Sequence, residues 1–301
     1  MYNLWLLGAC LLLGVALRRT RRMPEGAPAV LNSYVINIAL PALTLYYVHR
    51  MDIVPNVAYS VAAPWLMFAI GAVLFHFVGK ALGWKRETVG GIILVGSLAN
   101  TSFVGLPMIE SFYGAEHMGL GIVIDQLGTY LILSTLGILV AAVYSVGRVS
   151  IASVSRRVLG FPPLLALILA LALQPITFPE TLELVLERLG STLAPVALVS
   201  VGYQLRLDQV AGRVMPLAAG LTFQLVIGPL IVMGCLFGVV GFSGISAQVT
   251  IFELAMAPQI GAAIVAMDYK LDAPLVTLMV GLGIPLSFLT LPLWWMALQN
   301  V

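Results

Sequence analysis

Charge is what this 301-residue sequence has least of: Asp, Glu, Lys and Arg together make up 9% of it. A soluble domain carries about 25%, because its surface must face water. With 60% hydrophobic residues and a mean hydropathy of +1.04, this chain has a surface that prefers hydrocarbon. The net charge of +2 leaves no electrostatic footprint for nucleic acid. There are only two cysteines, Cys10 and Cys235, both in apolar runs; they read as small packing residues, not as a disulfide framework or metal site. The sequence also lacks a phosphate-binding Gly-rich loop, a dinucleotide fingerprint, metal-ligand spacing and a Ser–His–Asp set. These absences argue against an enzyme, and against an ATP-driven pump unless another subunit supplies the motor. No cofactor is expected.

What is present is apolar length. A membrane helix needs roughly 20 apolar residues. Ten such segments follow one another over Asn3–Leu17, Ala27–Val48, Val57–Leu82, Thr88–Tyr113, His117–Val146, Phe161–Phe178, Leu182–Leu205, Gly212–Phe242, Ser246–Met267 and Ala273–Leu298. They are continuously apolar, whereas a barrel strand alternates over about ten residues. The first segment reads as a retained span and not as a signal peptide, since its charges, Arg18, Arg19, Arg21 and Arg22, follow the apolar run instead of preceding it. The partner implied by all ten is the lipid bilayer, and the expected location is integral in the cell (inner or plasma) membrane.

Loop charge sets the expected orientation. The connections after segments one, three, five, seven and nine, with Lys80 and Arg213 on the adjoining segment ends, hold four, three, three, two and one Lys or Arg; the other side holds only Arg50 and Arg188. Basic loops stay cytoplasmic, so both termini are expected outside. His76 and Lys80 read as snorkelling side chains at the inner interface, and Trp294 and Trp295 as an outer aromatic anchor.

The chain also matches itself. Shifted by 156 residues, Tyr47, Arg50 and Asp52 meet Tyr203, Arg206 and Asp208; Gly105 meets Gly261, and Tyr113 meets Tyr269. Five segments per copy is an odd number, so the second copy enters the membrane from the opposite side. The expected organisation is a first five-helix repeat over 1–147, a cytoplasmic linker over 148–160 and an inverted repeat over 161–301. Inverted repeats of this kind are a hallmark of secondary transporters.

Chemistry concentrates in two equivalent segments. The fourth contains Asn100, Thr101, Ser102, Gly105, Pro107 and Met108; the ninth contains Pro258, Gln259 and Gly261. Proline removes a backbone donor and clashes with the preceding turn, and glycine permits non-helical angles. Both helices are therefore expected to unwind, near Pro107 and Pro258, and to cross at the midplane. Broken helices leave ends inside the membrane: N-termini can hold an anion and C-terminal carbonyls a cation. Asn100 and Gln259 lie twelve to fourteen residues into their segments, roughly 18–21 Å deep at helical rise. At that depth an amide bonds either a neighbouring helix or a substrate. Asp125, followed by Gln126, and Glu253 are carboxylates inside apolar segments. An ionised carboxylate in lipid is costly. These acids therefore face a cavity or carry a proton, which makes Asp125, Gln126 and Glu253 candidates for H⁺ or Na⁺ coupling; a neutral helix-bonding acid is the structural alternative.

At these broken segments the sequence resembles the auxin efflux carrier family, which includes the plant PIN exporters and many bacterial carriers. Asn100-Thr101 with Gly105, Pro107 and Met108 looks like the family's fourth-helix motif. Pro258-Gln259, Asp268-Tyr269, Pro274 and the Gly281 to Pro285 stretch look like its ninth and tenth helices, and Asn32 to Pro41 is similar to its second. The resemblance implies an all-α membrane protein of ten transmembrane helices in two inverted five-helix repeats, with crossover helices four and nine broken, as in bile-acid sodium symporters. It further implies a mobile crossover domain on a scaffold (an elevator), often a homodimer, and organic anions as substrates. Asn100 and the crossover prolines match the family's substrate region, so Asn100, Thr101, Ser102, Gly105, Pro107, Pro258, Gln259 and Gly261 are the expected substrate contacts. The loop from Gly147 to Gly160 is short, unlike the long hydrophilic loop of many plant members. The leading expectation is secondary transport of a small carboxylic acid or auxin-like anion by alternating access. The alternative is a sodium-coupled symporter of the bile-acid type, with Glu253, Gln259 and Asn100 around Na⁺; a channel or receptor on the same scaffold is a third reading.

Overall fold

The computed structural model describes residues 2–51, 56–145, 155–156, 158–204 and 213–299. Among them the chain is helical, with an isolated two-residue bridge in place of any strand. Twelve rods follow in order. They are α1 (Tyr2–Arg19), α2 (Ala27–His49), α3 (Val57–Ala81), α4 (Arg86–Ser97), α5 (Leu106–Phe112), α6 (Ala115–Tyr144), α7 (Pro162–Ala172), α8 (Glu180–Gln204), α9 (Val214–Val240), α10 (Ile245–Leu254), α11 (Ile260–Asp268) and α12 (Ala273–Leu298). Six of these, α2, α3, α6, α8, α9 and α12, are long and apolar enough to cross a membrane. In lipid a helix suits such sequences because it satisfies every interior backbone group within the segment. The fourth and ninth apolar segments are each cut into two rods, and α7 is only 11 residues long, so none of these pieces reaches the length one span needs. The expected linker 148–160 lies largely outside the described residues, as do Asp52, Arg206 and Asp208 of the repeated motif.

Three of the prolines leave the same mark on their helices. Wide π-helical turns occupy Val35–Ala39, Thr101–Gly105 and Phe223–Ile227, and a proline stands two residues beyond each: Pro41, Pro107 and Pro229. A proline ring clashes with the carbonyl one turn back; widening that turn moves the carbonyl aside without breaking the rod.

The chain forms two compact units. One comprises 1–54, 102–126 and 159–205, and the other 55–101, 127–158 and 206–301. Each draws on both halves of the sequence.

In the first unit, α1 packs on α8 with their backbones nearly touching. A Cβ on Gly14 would lie 2.2 Å from the Val199 oxygen, and one on Gly202 would lie 2.1 Å from the Leu11 oxygen. The ends of α2 and α7 cap each other. His49 Nε2 lies 3.0 Å from the Leu173 carbonyl and 2.8 Å from that of Ile176. Gln174 Nε2 donates to the Met51 carbonyl at 2.8 Å. Arg50 pairs with Glu183 and lies over the Tyr46 ring at 4.2 Å.

In the second unit, Asp272 ties three helix ends together. Its carboxylate caps α12 by accepting from Leu275 N–H at 3.3 Å; it also accepts from Arg213 Nε at 2.8 Å and Thr88 Oγ1 at 2.9 Å. Its own N–H donates to the Glu87 carbonyl at 3.3 Å. Asp272→Ala removes the cap and leaves the half-buried Arg213 unpaired. The expected loss is about 1–3 kcal/mol, read as a lower midpoint in denaturation of the detergent-solubilised protein. An unchanged midpoint would make the cluster a solvated surface feature.

Candidate functional site

The second unit contains two chain breaks bonded to each other. α4 ends at Ser97, and Leu98 turns extended at φ −119°, ψ 119°. α10 ends at Leu254, and α11 begins at Ile260 after an extended Gln259. Ala99 and Pro258 form the antiparallel bridge. Asn100 N–H donates to the Ala257 carbonyl at 2.7 Å, and Gln259 N–H to the Leu98 carbonyl at 2.9 Å. Backbone groups that lose helical partners away from water must find others; here each break supplies the other's. The surroundings are dry: Leu98, Ala99, Asn100, Thr101, Glu253, Ala257 and Gln259 are all buried.

The break in the fourth segment therefore sits at 98–100 and not, as the sequence suggested, at Pro107. That proline is absorbed by the wide turn Thr101–Gly105, which runs directly into α5, so the rod continues past it. The ninth segment does break around Pro258. Its missing N–H and its bias against helix in the preceding residue leave the end of α10 without a continuation.

Asn100, Thr101, Glu253, Pro258, Gln259 and Gly261 all belong to this unit. Thr101 Oγ1 lies 2.6 Å from Thr129 Oγ1. Glu253, in the last turn of α10, is fully buried. Gln259 Oε1 is buried without a hydrogen-bond partner. α12 comes close enough that a Cβ on Gly283 would lie 2.3 Å from Pro258 Cδ.

Ser102, Gly105, Pro107, Asp125 and Gln126 belong to the first unit. Ser102 Oγ donates to Asp125 Oδ1 at 2.5 Å. Gln126 Nε2 donates to Thr44 Oγ1 at 2.8 Å, and Thr44 donates in turn to the Leu40 carbonyl at 2.7 Å. Gln126 Oε1 is buried and unpartnered. Asp125 and Gln126 lie on the wide turn Ile124–Tyr130; such turns recur at functional sites. The same unit holds a cavity of about 80 Å³ lined by Tyr47, Pro107, Glu110, Glu187 and Ser191 among others. That volume is about that of two or three waters.

The membrane transport protein family matches residues 9–295. The chain belongs to this family. It is that of the auxin efflux carriers, which the broken-segment motifs resemble. An uncharacterized transporter of Methanothermobacter thermautotrophicus is 27% identical over 287 residues, covering 94% of this chain and 93% of the relative. An uncharacterized transporter of Methanocaldococcus jannaschii is 25% identical over 287 residues, covering 92% of each.

Three features of this membrane transport protein escape sequence reasoning. Glu110 and Glu187 share a cavity, but both stand near segment ends, where charge is ordinary. Gln224 donates from Nε2 to the Leu254 and Met256 carbonyls at 3.1 Å each. It is one of very few polar residues in the apolar stretch of α9, a signal that was there to be read. Trp294 is not an interfacial anchor: it is buried, and its Nε1 donates to the Leu225 carbonyl at 2.8 Å. A Trp near a helix end has the composition of an interface belt, and only its tertiary contact shows otherwise.

Proposed function

We propose that this transporter is a secondary carrier of small organic anions that works by alternating access. The observation that carries the reading is the pair of mutually bonded helix breaks, with Asn100, Thr101 and Gln259 on them. Interrupted helices near mid-depth are where secondary transporters bind substrate. The fold proposed with it has ten spans in two inverted repeats, crossover helices four and nine, both termini outside the cell membrane, and a homodimer as in the family.

Anionic substrates follow from the family resemblance and from the dipoles. α11 begins just after Gln259; the first N–H groups of a helix have no partner within it, and such an end favours negative charge. Neutral dipoles bind an anion without the grip of a Lys or Arg clamp, which suits release.

A second reading, cation coupling, has its own support. The buried Gln259 Oε1 and Gln126 Oε1 are acceptors, which a cation or donor satisfies and an anion does not. The buried Asp125 and Glu253 add charge of the matching sign. In the coupled carrier the anion meets helix N-termini while H⁺ or Na⁺ meets oxygens within one unit, those of Asp125 and Gln126 or those of Glu253 and Gln259.

The test is uptake of radiolabelled malonate, malate and indole-3-acetate into proteoliposomes. It is run with and without internal unlabelled acid, and with Na⁺, pH or no gradient. Saturable, exchange-stimulated uptake of one of these is expected; linear flux without exchange would make the protein a channel. Asp125→Asn and Glu253→Gln are expected to retain uptake but lose its gradient dependence. If both keep wild-type coupling, these acids are structural.

A further inference from the structure

The geometry points to Gln224 as the positioning residue of the broken ninth segment: its side-chain amide replaces the backbone donor that Pro258 lacks. In an uninterrupted helix the N–H of residue 258 would bond the carbonyl of residue 254. Proline has no N–H, so the Leu254 carbonyl is orphaned inside a buried core. Gln224 Nε2 donates to that carbonyl at 3.1 Å. Its second N–H donates to the Met256 carbonyl, also at 3.1 Å, which in a continuous helix would have gone to residue 260. That residue instead opens α11. Two amide hydrogens thus meet the two carbonyls on either side of Ala255.

The other groups of the break have different partners: Ala255 N–H takes Ile251, Met256 N–H takes Glu253, and the Ala257 carbonyl and Gln259 N–H pair with Asn100 and Leu98 of the fourth-segment break. Gln224 holds the α10 end of this arrangement from a separate helix. Its side chain is fully buried, and it sits on the wide turn Phe223–Ile227 of α9. With both hydrogens spent on α10, Gln224 Oε1 is left buried and without a hydrogen-bond partner. An amide that filled space would not leave its acceptor idle while saturating two carbonyls. The assignment concerns the shape of the break, and it holds whichever solute crosses.

Two isosteric variants test it without a substrate. Gln224→Met keeps the volume and removes both donors. Gln224→Glu keeps the shape, with a donor only when protonated. The readout is the hydrogen-exchange protection factor of the Asn100 and Gln259 amides, which close the paired breaks, in purified full-length protein at pH 5 and pH 9. Gln224→Met is expected to lose at least tenfold protection at both pH values. Gln224→Glu, whose protonated carboxyl has one O–H for the two carbonyls, is expected to fall between wild type and Gln224→Met at pH 5 and to lose at least as much protection as Gln224→Met at pH 9. Wild-type protection in Gln224→Met would overturn the assignment. So would a Gln224→Glu profile that tracks wild type at both pH values, because the residue would then act by packing alone. The uptake assay with labelled malonate separates this from the transport reading. Loss of protection in a protein that transports none of the acids tried leaves Gln224 in its role and removes the organic-anion proposal.

Discussion

Gly283→Val is expected to be among the most damaging single substitutions in this chain. The Cβ of any larger residue at 283 would lie 2.3 Å from Cδ and 2.7 Å from Cγ of Pro258, and 3.1 Å from Leu221 Cδ2. The proline ring cannot rotate away, and it sits in the strand-like pairing of Ala99 with Pro258. Either α12 retreats or the break moves. Overpacking of this kind costs about 1–3 kcal/mol, and valine lies toward the upper end because it adds two further methyls to a Cβ that already has no room. Thermal unfolding and exchange of the Asn100 and Gln259 amides read the two halves of the effect: a lower midpoint, and loss of protection localised to the breaks. A Gly283→Val protein with wild-type midpoint and protection would show that α12 does not press on the break.

Asn100→Ala is expected to do the opposite: to spare the fold and impair binding. The backbone N–H of residue 100, not its side chain, donates to the Ala257 carbonyl, so alanine keeps the bridge. Under the organic-anion proposal the side-chain amide offers a hydrogen bond to the carboxylate. Losing one bond to a charged ligand costs about 1.5–3 kcal/mol, or roughly ten- to a hundredfold in affinity. The measurement is the concentration dependence of malonate uptake, or of whichever acid the proteoliposome screen identifies, alongside the exchange protection of Gln259. Full protection with an unchanged apparent affinity would make Asn100 a packing residue and place the substrate elsewhere.

Much of this was legible in one sequence, for reasons that differ by residue. Apolar run length located the helical segments, because a backbone in hydrocarbon has few alternatives. Pro258 marked a true break, where the missing donor is met by an extended segment on each side of the bridge and not by a widened turn as at Pro107. Asn100, Asp125, Gln126, Glu253 and Gln259 stood out as polar groups in apolar stretches, and all five are buried. The fourth-segment break was misplaced because Leu98, Ala99 and Asn100 carry no punctuation of their own. Their extended conformation is held by Ala257 and Gln259, about 160 residues away. Pro107 gave a real signal whose consequence was a widened turn and not a rupture. Glu110 and Glu187 are brought to one cavity by tertiary packing alone, which composition and spacing do not report.

The wide turns have a bearing on how this chain lines up with others. Each holds about one residue more than the regular helix would place in the same rise. A relative without that residue would keep a continuous, regular rod, and everything beyond the point would face as it does here, because the extra residue is taken up within the turn. Relatives near 25–27% identity are therefore expected to show single-residue gaps inside Val35–Ala39, Thr101–Gly105 and Phe223–Ile227. Where such a gap occurs, the proline two positions on should be absent as well, since the extra residue and the ring accommodate each other. A deletion of one residue at Val226 tests the same point within this chain: with Pro229→Ala it should be better tolerated than alone.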